Sequence, residues 1–218
     1  MSYELDDTLP PDVRATVDPG TNILVSGPSM SGKRNLLLRS LEAGSSRGDG
    51  AVVVTTSDAA PEVIEDYEAI GGDTRTFFRV IDCVGSQGQT QSFEDVVRTV
   101  SSPGDLTGIG IEFSEIGKSA ESSGVSRLRV AFDSISPLLM YVDLQRVFRF
   151  LHVFTSQIQS RDWLGLFAID PQSHDEQAVN TISQLFDGVV EIRLPESGGR
   201  EVRTRGFDGA PSSWTSME

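Results

Sequence analysis

The sequence predicts an α/β fold of three layers, with a mostly parallel central sheet between helices and an antiparallel hairpin at its C-terminal end. Three observations predict it. Apolar, β-branched runs at residues 22–26, 51–56, 77–84, 127–134 and 164–170 are separated by stretches of largely helical spacing, the alternation that builds a parallel sheet. The first run leads into Gly27-Pro28-Ser29-Met30-Ser31-Gly32-Lys33, a glycine-rich loop of the phosphate-binding pattern, followed by a helical stretch. Where the alternation ends, residues 189–194 and 201–205 flank the turn Glu196-Ser197-Gly198-Gly199 as a hairpin.

Each element follows from local pattern. Residues 1–20 read as an N-terminal extension, 21–211 as the domain and 212–218 as a tail. The loop helix covers 35–42, with Leu36, Leu37, Leu38 and Leu41, and a second helix over 61–70 carries Val63, Ile64 and Tyr67 at helical spacing. Glycine and glutamine make 85–91 a loop. Phe93, Val96, Val97 and Val100 then predict a short helix, and 101–105 a turn. Apolar residues in 106–116 predict a helix beginning near Gly110 and ending in the serine-rich stretch 119–126. Pro137 opens the longest helical pattern, a wide stripe from Leu138 to Ile158 that reaches Arg161, and 176–186 reads as a further helix. Residues 211–218 read as a mobile end.

Composition bounds the function. At 218 residues and 38% hydrophobic content the chain fits one domain with a sizeable core. There are 32 acidic against 18 basic residues, a net charge of −14, and lysine occurs only at 33 and 118. Acidic excess with lysine depletion reads as adaptation to molar salt, where the Debye length falls to about 3 Å. It also argues against nonspecific nucleic-acid binding, which needs a basic face. Cys83 stands alone, so no intrachain disulfide forms, and the expected location is a reducing cytoplasm. The acidic N-terminal residues lack the basic and apolar regions of a leader, and no apolar run approaches 18 residues, so membrane insertion is not expected. His152 and His174 lack Cys or His at ligand spacing.

The loop carries the chemistry. In G-x-x-x-x-G-K-[ST], glycines let backbone N–H groups wrap a phosphate, the helix N-terminus adds a positive dipole, the lysine reaches the terminal phosphates and a hydroxyl holds Mg²⁺. Here the residue after Lys33 is Arg34, followed by Asn35. A guanidinium has no lone pair to offer a cation and repels it. Asp133, followed by Ser134, closes an apolar strand about a hundred residues later, where a metal-facing carboxylate of such a site belongs, so it is the candidate Mg²⁺ ligand.

On these residues, together with Pro103-Gly104-Asp105-Leu106-Thr107, Asp133-Ser134-Ile135-Ser136 and the stretch from Phe186 to Arg193, the chain resembles the RecA superfamily, specifically the KaiC-like and RadA-like P-loop ATPases. The resemblance covers nearly the whole chain and implies a three-layer RecA-like P-loop NTPase fold, ATP or ADP as ligand, and homo-oligomeric rings or filaments in which each site is completed by a neighbour. KaiC-like chains carry Lys-x-Arg-Gly near the end. The matching stretch is Arg203-Thr204-Arg205-Gly206, so Arg203 and Arg205 are candidates for a trans-acting contact. The chain departs from the family twice: Arg34 replaces the magnesium hydroxyl, and the paired glutamates that activate water fall near Ser57-Asp58. Asp58 is the one candidate general base. The favoured reading is a KaiC-like nucleotide-binding regulator with weak or absent hydrolysis, Arg34 contacting phosphate in place of Mg²⁺. Three alternatives stay open: an active Mg²⁺-dependent ATPase in which Asn35, Ser31 or Ser29 replaces the hydroxyl, a non-nucleotide module that binds an unknown protein partner on a fossil loop, and a recombinase-like function on DNA.

Overall fold

The computed structural model describes residues 2–5, 16–85, 95–207 and 213–217. Among these residues, nine strands form the main sheet and two more a small one. These are β1 (Tyr3–Glu4), β2 (Thr16–Val17), β3 (Asn22–Ser26), β4 (Gly50–Thr55), β5 (Phe78–Asp82), β6 (Val97–Thr99), β7 (Leu128–Phe132), β8 (Leu164–Ile169), β9 (Gly188–Arg193), β10 (Arg200–Arg205) and β11 (Thr215–Met217). The helices are α1 (Lys33–Ser45), α2 (Ala60–Ala69), α3 (Leu106–Ser122), α4 (Ser136–Tyr141), α5 (Leu144–Ser160) and α6 (Glu176–Ser183).

The main sheet has the order β11-β10-β9-β3-β8-β7-β4-β5-β6, parallel from β9 to β6, with β10 and β11 added antiparallel. Strands β4, β7 and β8 are buried along their whole length, because helices cover both faces. Alternate side chains serve opposite cores. Ile23, Val25, Ala51 and Val53 pack with Leu37, Leu41, Val63 and Tyr67 of α1 and α2, while Leu24, Val52, Val54 and Phe132 pack with Phe113, Leu151 and Phe154 of α3 and α5. The expected fold, including the C-terminal hairpin of β9 and β10, is the observed one. No helix among the described residues is long and apolar enough to cross a membrane.

Four local expectations change. Residues 97–99, expected in a short helix, form the outermost parallel strand, because β5 offers an open edge and Val97 buries against it; Phe93 and most of the loop 85–91 lie outside the described residues. The long helix splits into α4 and α5: Val142 is extended, and the Asp143 side chain accepts a hydrogen bond from Arg146 N, capping a new helix. Helix α3 begins at Leu106 rather than near Gly110, since Asp105 caps it by accepting from Gly108 N at 2.8 Å. Residues 215–217, placed in a mobile end, pair with β10 instead.

Residues 2–5 are tied to the core by buried charge. Arg129, 1% exposed, donates to Asp49 Oδ2 (2.9 Å), Glu4 O (3.0 Å) and Ser40 O (2.9 Å), while Arg127 Nε donates to Asp49 Oδ1 at 2.7 Å. Gly44 is required beside this triad, because a Cβ there would run into the Arg129 guanidinium. Removing the acid leaves a buried guanidinium without its charge partner, so Asp49→Asn is expected to cost about 3–5 kcal/mol in guanidinium unfolding. Arg127→Met, which removes a half-exposed partner, is expected to cost no more than about 1 kcal/mol.

Candidate functional site

The parallel strands β3, β8, β7 and β4 end on one edge, and the chain leaving each builds one cleft. Ser29, Met30, Ser31, Gly32, Lys33 and Arg34 line it from the loop after β3, Ser57 and Asp58 from beyond β4, Asp133, Ser134, Ser136, Pro137 and Met140 from beyond β7, and Asp170 and Ser173 from beyond β8. Its volume is about 690 Å³. The loop candidates from Ser29 to Arg34 therefore meet Asp58, Asp133 and Ser134 in one cleft, while Gly27 and Pro28 stand behind it and accept from Lys33 Nζ through their carbonyls. Asn35 does not join them: it is exposed, and its Oδ1 accepts from Arg39 Nε one turn along α1 at 2.7 Å.

The loop leaves the start of α1 open. Gly32 takes φ 87° and precedes α1 with no side-chain cap, so the first N–H groups of the helix are left to an anion. The hairpin closes the loop's outer wall: a Cβ on Gly27 would press on Ile192, and one on Gly32 would run into Arg200. Lys33 Nζ donates to the loop's own carbonyls, Gly27 O at 2.6 Å and Pro28 O at 2.7 Å. Burial lowers its pKa below the ordinary lysine value, partly opposed by the charge of Asp170.

Arg34 is committed to acids. Its guanidinium donates to Asp58, and Nη2 lies 3.0 Å from Asp66 Oδ2 in an ion pair without hydrogen-bond alignment. The cation that replaces the metal hydroxyl is thus paired with the candidate base.

Asp133 is buried and surrounded by donors. Thr56 N reaches Oδ1 at 2.9 Å, Thr56 Oγ1 lies 3.0 Å from Oδ1, and Thr55 Oγ1 lies 2.8 Å from Oδ2. Each threonine hydroxyl has one proton and a second acceptor, the Asp58 carbonyl at 2.5 Å from Thr55 Oγ1 and the Ser134 carbonyl at 2.7 Å from Thr56 Oγ1. A protonated Asp133 donates to a threonine and lets its proton serve the carbonyl. Burial raises its pKa above the ordinary carboxylate value, against the hydrogen bonds from Thr56 and Thr55.

These residues do not fit Mg²⁺. Arg34 sits where the hydroxyl ligand belongs, both Asp133 oxygens are engaged, and no three His, Cys, Asp or Glu among the described residues are grouped to hold a metal.

Sequence reasoning missed Asp170. It follows β8, which lies between the loop strand and the Asp133 strand; its Oδ2 accepts from Ser29 Oγ at 2.8 Å and its Oδ1 from Gln172 N at 2.9 Å. The signal that marks Asp133, an aspartate closing an apolar strand, is present here as well, but only strand order sets it beside the loop.

Arg203 and Arg205 lie apart from this cleft, in a smaller one of about 310 Å³ that also holds Asn180, Glu191 and Trp214. Both pair with Glu191 of their own chain, Arg205 at 2.5 Å, and Arg203 also stacks 4.5 Å from the Trp214 ring centroid.

A family model described as a family of unknown function, DUF7504, matches residues 20–192, and the chain belongs to that family. No curated protein matches the sequence. Among solved structures, a KaiC-like protein of the hyperthermophilic archaeon Pyrococcus horikoshii OT3 is similar at a TM-score of 0.64 and 15% identity, over 90% of this chain and 83% of that one. That likeness is one of fold, and the fold is RecA-like.

The buried Asp133 makes stability depend on pH in a stated direction. A carboxyl whose folded pKa is raised stabilises fully below the ordinary carboxylate value and loses that contribution as pH rises through the raised value. Asp133→Asn, which keeps the shape without the charge, is therefore expected to melt further above wild type at about pH 8 than at about pH 5. A difference in melting temperature that stays constant with pH would count against this.

Proposed function

We propose that this protein binds a nucleotide on the loop Gly27–Lys33 without Mg²⁺, hydrolyses it weakly or not at all, and acts as a regulatory module. One observation carries the reading. The guanidinium of Arg34 pairs with Asp58, so a single ion pair accounts for both the missing metal ligand and the withdrawn general base. What remains is a cradle: uncapped N–H groups, Lys33, and a cleft of about 690 Å³. Such a cleft suits a small polyanionic ligand.

The pairing also revises how Arg34 takes part. With Asp58 and Asp66 already compensating its charge, the guanidinium holds α1 against α2 rather than replacing Mg²⁺ on a phosphate. An active ATPase would need this pair broken and a metal ligand supplied by another hydroxyl, two changes with no support in the geometry. The interaction-module reading has one observation in its favour, the satisfaction of Lys33 by its own loop carbonyls, which needs no ligand. Assembly with a second copy is part of the proposal, but Arg203 and Arg205 complete a neighbour's site only after leaving Glu191. The proposal includes a salt-rich cytoplasm, a reading that the acidic, lysine-poor composition supports.

Calorimetric titration of ADP and ATP in molar KCl tests this. Binding at micromolar Kd, changed less than about twofold by Mg²⁺ or EDTA, is expected, with Lys33→Ala weakening it at least about tenfold, or 1.4 kcal/mol. Phosphate release at, or only slightly above, the protein-free blank is expected. Affinity that rises steeply with Mg²⁺, or a Lys33→Ala variant that binds as wild type does, would overturn the reading.

A further inference from the structure

The acids that line the cleft are Asp58, Asp133 and Asp170, and they differ in how much negative charge each leaves open to a ligand. Asp58 is neutralised by the Arg34 guanidinium. Asp133 is buried at the base, where desolvation favours its protonated form. Asp170 has neither device. It stands at the end of β8 with one oxygen on Ser29 Oγ (2.8 Å) and the other on Gln172 N (2.9 Å), and no guanidinium is paired with it among the described residues. Burial pushes its carboxyl up, but the hydrogen bonds from Ser29 and Gln172 and the charge of Lys33 outweigh this and hold it below the ordinary value, so it is ionised near neutral pH.

Its position matters for how many phosphates the cleft accepts. Ser29 and Lys33 belong to the loop whose N–H groups enclose a phosphate, and Asp170 is bonded to the first and interacts electrostatically with the second. A phosphate enclosed by the loop is balanced by Lys33 and the α1 N-terminus. Another phosphate extending past it toward Ser29 faces a fixed carboxylate. Mg²⁺ would normally offset the added charge of a triphosphate, but its ligands are absent here, and Arg34 is spent on Asp58 and Asp66.

Resting on the nucleotide-binding reading above, we propose that Asp170 makes this cleft a nucleoside diphosphate site, by opposing the terminal phosphate of a triphosphate. The residue is a specificity determinant, and the state the protein responds to is the diphosphate.

The test is titration of ADP and ATP, with EDTA present, into wild type, Asp170→Asn and Asp170→Ser, each variant checked for folding by circular dichroism and thermal melting. Wild type is expected to bind ADP at least about tenfold more tightly than ATP. Asp170→Asn, which removes the charge, keeps one acceptor oxygen for Gln172 N and turns an NH2 toward the Ser29 hydroxyl, which can accept from it, is expected to tighten ATP about tenfold while leaving ADP within about twofold. Asp170→Ser is expected to tighten ATP in the same direction. Equal affinity for ADP and ATP in wild type overturns the proposal even if neither variant folds. A variant that tightens both ligands equally overturns it too, since the carboxylate then acts on anions in general. If neither nucleotide binds wild type or either variant, it is nucleotide binding itself that fails.

Discussion

The parallel register of β3, β8, β7 and β4 is the constraint on which the site depends. Ser26, Ile169, Phe132 and Thr55 end neighbouring strands on one edge, so the loop, Asp170, Asp133 and the Thr56–Asp58 turn are delivered to one place from segments more than a hundred residues apart. Helices cover both faces of these strands, which concentrates the polar groups of the site at their C-terminal ends. That burial also sets the chemistry of the edge. Asp133 is largely buried at the base of the cleft, where desolvation favours the neutral form, whereas Asp170, closer to solvent and bonded to Ser29, keeps its charge. Two aspartates of the same sequence pattern thus have different electrostatic roles.

Arg34 is an awkward residue at the first turn of a helix, since a cation there opposes the macrodipole. Asp58 and Asp66 offset that cost, and the three side chains act as one unit joining α1 to α2. Two departures that stand separate in the sequence, a lost hydroxyl and a shortened acid, are the two halves of one ion pair. The same compensation recurs on the hairpin, where Glu191 holds both Arg203 and Arg205. In a chain of net charge −14, carboxylates are plentiful enough that Arg34, Arg203 and Arg205 each have an acid at hand.

The strands of the central sheet and the loop were legible because each announces itself within a few residues: a β-branched run, a glycine pair at fixed spacing, an apolar stripe. The misread segments are those where a distant or cryptic partner decides. Val97 becomes a strand because β5 has a free edge, and Met217 joins the sheet because β10 does. The break at Val142 and Asp143 was visible only as a cap, a weak local signal within a strong apolar stripe. In the site, the loop and Asp133 were legible from motif and spacing, whereas Asp170 and the commitments of Arg34, Arg203 and Arg205 were not.

The sequence by itself determined the layers, the loop and the candidate acids, because hydrophobic period and backbone-demanding glycines act between near neighbours in the chain. Only the tertiary structure decided which charges are free. Strand order set Asp170 beside Ser29, and the packing of α2 on α1 brought Asp58 and Asp66 to Arg34. Charge compensation is a contact between residues remote in sequence, fixed only when the chain has folded, and it decides here which of the cleft's charges are left to meet a ligand.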